Sequence, residues 1–360
     1  MKIAFLPLNQ NHIENYEKII EYIKESLNEK VDFFVYDFDG VLHQSFVYKK
    51  NNDVNILKHN LTTDEPFYTM GFYKRIKTIW KLSKDLDYTD IKYDLLIHGS
   101  DCAMLHLIIS RIPKPDNVVC ILDGFLREDS VFSIVKLFCI EKVRLILRGI
   151  GLSYLVPSMT GSNISNKIFV ISDSIKNVLR RRGYSGEVII SKMPRHKKHC
   201  LKEKEKENKK NLMYATTAFA WHGLHRYAQK EEEAIRGLIN FKEKLNFNLR
   251  IRVHPRGDAK NLNEGVFKTY VKNNTLYEDL FWADVILSAG SSISYEALLY
   301  NKQAGILFPS SYNITDLTPI VKDLQLPLIE SEQDLVHFID SMQNKIIVYD
   351  DFDCEKLLEI

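Results

Sequence analysis

Residues Trp282–Leu307, WADVILSAGSSISYEALLYNKQAGIL, have the pattern of a strand, a turn, a helix and a second strand without interruption. The apolar run Val285–Leu287 predicts a buried strand, and Gly290 permits a tight bend after it. Ser291, Ser292 and Ser294 are favoured N-terminal caps for the helix that follows. Free backbone N–H groups at the positive end of a helix dipole favour a phosphate, although an ordinary helix cap gives the same pattern.

A second strand end, Leu249–Asp258 (LRIRVHPRGD), adds to the phosphate-binding interpretation. His254 at this strand end could hydrogen-bond to a phosphate oxygen, and Pro255 fixes the backbone behind it. Arg252 and Arg256 could supply positive charge. A turn or capping histidine is the alternative interpretation of this motif.

Composition bounds the class of protein. The chain has 360 residues, 45% hydrophobic and 27% charged, which predicts two domains of ordinary size. A net charge of +2 gives no global signature of nucleic-acid binding. The five cysteines are odd in number and scattered, which favours reduced thiols in a cytoplasmic protein.

Apolar strands alternate with helical sequence in both halves of the chain. The predicted strands cover residues 2–7, 31–36, 93–98, 117–122, 167–172, 187–190, 211–216 and 249–253, and the predicted helices cover residues 13–27, 173–182 and 229–245. This alternation predicts an α/β fold with parallel sheets and functional loops at the carboxyl ends of the strands. The expected organisation is a first domain over 1–196, a charged linker over 197–210 and a second domain over 211–360, whose last helix could pack back on the first.

No apolar signal core follows Met1, and no run reaches the roughly 18 apolar residues of a membrane span, so a soluble or peripheral protein is expected. Two stretches, 72–84 (FYKRIKTIWKLSK) and 142–157 (KVRLILRGIGLSYLVP), mix basic with aromatic and aliphatic residues. They fit ordinary amphipathic helices, peripheral contact with an anionic membrane, or binding of an acidic glycan.

The motif pair Arg252–Pro255 (RVHP) and Ser288–Leu298 (SAGSSISYEAL) resembles the carboxyl-terminal domain of bacterial GT-B glycosyltransferases that build surface polysaccharides. The pattern is similar to HP/SS-motif sialyltransferases, capsular Kdo transferases and CDP-glycerol polymerases. In the first half, Ile121–Glu128 (ILDGFLRE) resembles the acidic-acidic-glycine motif of sialyltransferases and an EDGFIR-like segment of Kdo transferases. The chain departs from these families at Leu122, where they carry the first acidic residue.

The resemblance implies a GT-B fold, with two Rossmann-like parallel-sheet domains facing a cleft. It implies an inverting, metal-independent transfer of a sugar from a nucleotide-activated donor, of the CMP-linked sialic acid or Kdo type, to a bacterial surface glycan or lipid-linked acceptor. No cofactor and no nucleic-acid partner is expected. A CDP-glycerol-type or UDP-sugar transferase, or a non-catalytic nucleotide-sugar-binding protein of glycan assembly, are the alternatives.

The resemblance also implies roles for individual residues. Asp123 is the expected base for the acceptor hydroxyl and His254 the expected group at the leaving phosphate, and Asp123 has a rival role as a helix cap. Glu296 could bind ribose hydroxyls or could be a plain surface residue of its helix. The expected donor-binding residues are Arg252, Pro255, Arg256, Gly290, Ser291, Ser292, Glu296, Thr216 and Thr217. The expected acceptor-side residues are Asn9, Gln10, Arg127 and Asp101, the last also a second candidate base.

One further motif is best interpreted as a chance match. Val35–Ser45 (VYDFDGVLHQS) resembles the nucleophile motif of haloacid-dehalogenase phosphatases, but it follows an earlier βα unit and lacks the matching downstream motifs. Asp37 and Asp39 also form a DxD pair, which lies in the first domain instead of beside the predicted donor site. No metal-binding residues are therefore predicted.

Overall fold

The chain folds into two compact units in the computed structural model, Met1–Lys197 with Tyr349–Ile360, and Lys198–Val348. The residues that the structure describes are 1–27, 30–38, 42, 46–50, 53–59, 70, 73–74, 77–78, 80–81, 90–99, 105–106, 108–109, 112–122, 124, 126, 135, 139–140, 142–147, 164–196, 209–220, 224–254, 265–272, 274–308, 321, 323–341 and 351–359. No helix among them combines the length and the apolar character needed to cross a membrane.

The first unit is built on a seven-stranded sheet in which every neighbouring pair is parallel. Its strands are β1 (Lys2–Leu6), β2 (Asp32–Phe38), β3 (Val54–His59), β4 (Leu95–His98), β5 (Asn117–Ile121), β6 (Lys167–Val170) and β7 (Glu187–Ile190), in the order β3-β2-β1-β4-β5-β6-β7. Helices α1 (Gln10–Ser26) and α2 (Asp173–Arg181) follow β1 and β6, and short 3-10 turns cover Val47–Lys50 and Pro194–His196.

Helix α1 begins at Gln10, three residues before the predicted start, because Asn9 caps it. The Asn9 Oδ1 accepts a hydrogen bond of 3.0 Å from the His12 backbone N–H, which satisfies one of the free donors of the first turn. The apolar positions Ile13, Ile20 and Ile23 then recur at helical spacing and are buried.

The second unit contains a five-stranded parallel sheet in the order β12-β11-β10-β8-β9. Its strands are β8 (Asn211–Ala215), β9 (Asn248–Arg252), β10 (Val285–Ser288), β11 (Gln303–Leu307) and β12 (Leu328–Ile329). Its helices are α3 (His225–Leu245), α4 (Leu276–Trp282), α5 (Ile293–Leu299) and α6 (Glu332–Asp340), with a 3-10 turn at Gly265–Thr269. The strand, turn, helix and strand predicted from the opening stretch are thus β10, α5 and β11.

The last helix, α7 (Cys354–Leu358), packs within the first unit. The Lys167 Nζ donates to the backbone carbonyls of Lys356 at 2.9 Å and Glu359 at 2.8 Å. The ring of Phe352, just before the helix, packs against Phe169, and the two ring centres are 4.8 Å apart. Of the predicted linker, residues 197–208 lie outside the described residues.

Candidate functional site

Three strands of the second sheet end side by side, and their following loops carry most of the predicted donor-binding residues. In the parallel register, Ser288 of β10 lies opposite Ala215 of β8, and Ala215 lies opposite Arg252 of β9. Adjacent strands are about 5 Å apart, so the loops after these residues start from neighbouring positions at one edge of the sheet. This edge, defined by the loops after Ala215, Arg252 and Ser288, is called the carboxyl edge below.

Ser288 organises the turn after β10. Its Oγ accepts hydrogen bonds of 3.1 Å from the backbone N–H groups of both Gly290 and Ser291, and it shares a bond of 3.1 Å with the Ser294 hydroxyl. Gly290 has a φ angle of 105°, a backbone conformation that residues with a Cβ rarely adopt. The turn therefore needs both a hydroxyl at 288 and a glycine at 290.

Of the expected serine caps of α5, Ser291 accepts a long hydrogen bond of 3.5 Å from the Ile293 backbone N–H through its Oγ, and Ser294 lies inside the helix. Ser292 is the residue before the helix, but its side chain makes no capping hydrogen bond. Two of the backbone N–H groups expected to face a phosphate instead donate to Ser288. The Ser292 residue is half-buried, and its hydroxyl is not engaged in a capping bond.

The β9 loop is tied to the β8 loop through the expected catalytic histidine. The His254 backbone N–H donates to the buried Thr216 Oγ1 at 2.8 Å, and the Thr216 N–H donates to the Arg252 carbonyl at 2.9 Å. The half-buried His254 is thus held at a fixed distance from β8. Thr216 was predicted to bind the donor, and its hydroxyl already serves to position His254.

The neighbouring residue, Thr217, is held by a carboxyl group that the sequence interpretation missed. Glu231 of α3 accepts hydrogen bonds from the Thr217 backbone N–H at 2.8 Å and from the Tyr214 hydroxyl at 3.2 Å, and it is 5% exposed. Burial raises the pKa of Glu231 to about 8, against the opposing effect of the hydrogen bonds from Thr217 and Tyr214. Glu231 and His254 are therefore hydrogen-bonded to adjacent residues of the β8 loop, Thr217 and Thr216.

Arg252 points its charge into the interior of the second unit. Its Nη1 lies 2.7 Å from the Asp279 Oδ2 and donates to the Asn274 carbonyl at 3.0 Å, while the Arg250 Nη1 lies 2.8 Å from the Asp279 Oδ1. The Asp279 side chain is fully buried, and the Arg250 guanidinium also stacks 4.0 Å from the ring centre of Trp282. These contacts fix the end of β9, and a role of Arg252 in binding the donor stays a prediction.

Glu296 is not the exposed helix residue that one of the two interpretations required. It is 5% exposed in α5, where its neighbours Tyr295 and Ser294 are fully buried. A carboxyl group in such a place must be held by polar partners, so the surface interpretation is wrong. Its proposed contact with ribose stays a prediction.

In the first unit, two of the four expected acceptor-side residues, Asn9 and Gln10, lie at the start of α1. Asn9 is the helix cap described above, and the exposed Gln10 donates to the Glu14 carboxylate at 3.4 Å. The buried His12 is a polar residue of this turn that the sequence interpretation missed, and its Nδ1 accepts from the Leu8 N–H at 3.2 Å. The His12 ring packs against Gly99 so closely that a Cβ there would collide with it.

Five predicted site residues lie outside the described residues: Asp101, Asp123, Arg127, Pro255 and Arg256. Of the remaining ones, the second unit brings Thr216, Thr217, Arg252, His254, Gly290, Ser291, Ser292 and Glu296 to the carboxyl edge or to the elements that support it. Asn9 and Gln10 belong to the first unit.

No protein-family model and no characterised protein sequence matches this chain. Among solved structures, UDP-GlcNAc 2-epimerase from Methanocaldococcus jannaschii in complex with UDP-GlcNAc and UDP is similar at a TM-score of 0.57 and 15% identity, over 99% of this chain and 97% of that chain. MnaA from S. aureus with UDP gives a TM-score of 0.57 at 13% identity, over 99% of this chain and 94% of that chain.

A glycosyltransferase is also among the similar structures. The spinosyn forosaminyltransferase SpnP matches at a TM-score of 0.53 and 11% identity, over 95% of this chain and 90% of that chain. Together with the two parallel sheets, these likenesses show that the chain has the GT-B fold, so the expected pair of parallel-sheet α/β domains is confirmed. At such identities the likeness establishes the fold and does not assign an activity.

Proposed function

We propose that the protein is an inverting, metal-independent glycosyltransferase that moves a sugar from a nucleotide-activated donor to a bacterial surface glycan, such as a capsular polysaccharide or lipopolysaccharide. The proposed donor is CMP-linked, of the sialic acid or Kdo type. The observation that supports this most is the carboxyl edge of the second sheet, where the loops of His254 and of Ser291 and Ser292 start from adjacent strands.

The donor phosphate would lie at the carboxyl edge. Ligands of open α/β sheets bind outside the carboxyl ends of the strands, and the Ser292 hydroxyl at the start of α5 can donate to a phosphate oxygen there. His254 can donate to the same phosphate because its backbone is fixed by Thr216. A positioned donor of this kind stabilises the negative charge that develops as the phosphate departs.

The transfer step requires two protein groups, a base for the acceptor hydroxyl and a group that stabilises the leaving phosphate. The acceptor hydroxyl attacks the anomeric carbon and loses its proton to a base, while the bond between that carbon and the phosphate oxygen breaks. The leaving nucleotide carries away the bonding electrons as phosphate charge, which His254 neutralises through a hydrogen bond or a proton. We propose Asp123 as the base, with Asp101 as the competing candidate.

The first experiment measures nucleotide release from a panel of CMP-, CDP- and UDP-linked donors, with a surface glycan as acceptor. UDP-sugars belong in the panel because similar structures hold UDP or UDP-GlcNAc. We expect CMP release that depends on the acceptor and persists in EDTA. A complete loss of release on chelation would refute the metal-independent mechanism, and release from none of the donors would favour a non-catalytic binding protein.

The second experiment tests the two catalytic assignments. His254→Ala should lower turnover by about 10²–10⁴-fold, whereas His337→Ala, on the exposed face of α6, is the matched control. Asp123→Asn should bind donor normally and transfer sugar at least ~100-fold more slowly. If Asp123→Asn keeps full activity while Asp101→Asn loses it, the base is Asp101.

A further inference from the structure

Most of the large apolar side chains that the first unit exposes among its described residues lie in two short segments. Among its described residues, the exposed ones are Val47, Tyr73, Trp80, Val135, Val143, Leu145 and Ile146. Five of these seven fall within the two basic-apolar stretches, residues 72–84 and 142–157. Scattered exposed apolar residues are normal, but a concentration in two short basic segments indicates a binding surface.

The helical segment 142–147 shows the reverse of the exposure pattern expected for a helix that faces water. Its apolar residues Val143, Leu145 and Ile146 are exposed, Ile146 to 73%, while Arg144 is only 4% exposed. A solvent-facing helix normally buries its aliphatic residues and exposes its charges. This segment therefore presents an apolar face that would be stabilised by leaving water.

The segment 73–81 combines exposed aromatic and basic residues. Tyr73 is 86% exposed and Trp80 is 57% exposed, and the lysines next to them, Lys74, Lys77 and Lys81, are exposed as well. Tyrosine and tryptophan beside lysine is the composition that proteins place at the boundary between lipid headgroups and acyl chains.

Charge favours an anionic partner for both segments. Residues 72–84 carry five basic and no acidic side chains, and residues 142–148 carry Lys142 and Arg148 besides the buried Arg144 and no acidic side chain, although the whole chain has a net charge of only +2. Like charges would oppose pairing of these segments with a second copy of the chain. A soluble acidic glycan would satisfy the lysines and leave Val143 and Ile146 in water, whereas a lipid bilayer accommodates both groups.

We propose that segments 73–81 and 142–147 bind the surface of an anionic lipid bilayer, with the apolar side chains inserted among the headgroups and the lysines paired with lipid phosphates. This inference deepens the proposed function, because it names the site that would hold the enzyme where lipid-linked acceptors are assembled. The binding itself needs no sugar donor, so it can fail while the transferase proposal stands, and the reverse also holds.

The test is co-sedimentation of the full-length protein with vesicles of phosphatidylcholine, with and without phosphatidylglycerol. We expect binding to the anionic vesicles only, and its release by high salt, because screening weakens surface attraction. Ile146→Glu should weaken binding at least about tenfold and Trp80→Ser several-fold, since each removes an inserted side chain. Val336→Glu, at an exposed apolar position of α6, is the matched control and should bind as the wild type does.

Circular dichroism is the control that the variants are folded. The possible outcomes then support or overturn binding of the two segments to the bilayer. Wild-type protein that stays in the supernatant with anionic vesicles overturns it, as does equal binding by Ile146→Glu and the wild type. Binding to a soluble acidic polysaccharide without binding to vesicles would assign the segments to the glycan instead. Self-association in light scattering that Ile146→Glu abolishes, with no vesicle binding, would assign them to a second copy of the chain.

Discussion

Glu231→Gln should change how the stability of the protein depends on pH. The wild-type carboxyl group is 5% exposed, and burial raises its pKa to about 8 from an ordinary value of 4.5. A carboxyl group whose pKa is raised on folding stabilises the folded state fully below 4.5 and loses that contribution as the pH rises towards 8. Glutamine keeps an oxygen for the Thr217 N–H and the Tyr214 hydroxyl but cannot ionise.

The size of the effect follows from the shift in pKa. One unit corresponds to about 1.4 kcal/mol, so the unfolding free energy of the wild type should fall by up to about 5 kcal/mol relative to Glu231→Gln between pH 4.5 and pH 8. Urea unfolding of both proteins at pH 5 and pH 8, followed by circular dichroism, measures this difference.

A control separates burial from simple loss of charge. Glu233→Gln removes an exposed carboxylate from the same helix and should leave the pH dependence of unfolding as it is in the wild type. If the difference in unfolding free energy between the wild type and Glu231→Gln is the same at pH 5 and pH 8, Glu231 does not ionise from a buried protonated state, and the reasoning fails.

Three further substitutions test the framework of the site. Ser288→Ala leaves two backbone N–H groups without their acceptor and should cost about 2 kcal/mol of stability while weakening nucleotide binding; unchanged urea unfolding would contradict this. Asp279→Ala leaves two partly buried guanidinium groups unpaired and should cost about 3–5 kcal/mol, which a thermal melt would detect as a much lower Tm. Gly99→Ala forces the His12 ring to move and should cost about 1–3 kcal/mol, and a melt like that of the wild type would show that the contact is loose.

The sequence pattern predicted the strands well where both faces of the strand are buried. The strands β1, β8 and β10 are continuous apolar runs, and the structure places them inside parallel sheets. The strand β3 (VNILKH) is absent from the strands that the sequence pattern predicts. It lies at the edge of the sheet, so only one neighbour constrains it, and its polar residues weaken the apolar signal.

The polar framework of the site was harder to predict. Sequence indicated that a turn rich in serine follows β10, but it could not show that Ser288, at the end of an apolar strand, accepts the hydrogen bonds of that turn. Glu231 offered a better signal, because it lies four residues before Ile235 and seven before Leu238 on the buried face of α3. Its place in a run of three glutamates concealed that periodicity.

The proposed function requires that the carboxyl edge of the second sheet binds the phosphate of a nucleotide. Isothermal titration of the wild type and of Ser292→Asp with CMP, CDP and UDP tests it directly. The Ser292 side chain makes no capping bond and aspartate is itself a good cap, so the variant should fold, while its negative charge should repel a phosphate. We predict that at least one of these nucleotides binds the wild type and binds Ser292→Asp at least about tenfold more weakly. Binding of equal strength to both proteins, or no binding of any of the three, would show that this edge is not a nucleotide phosphate site.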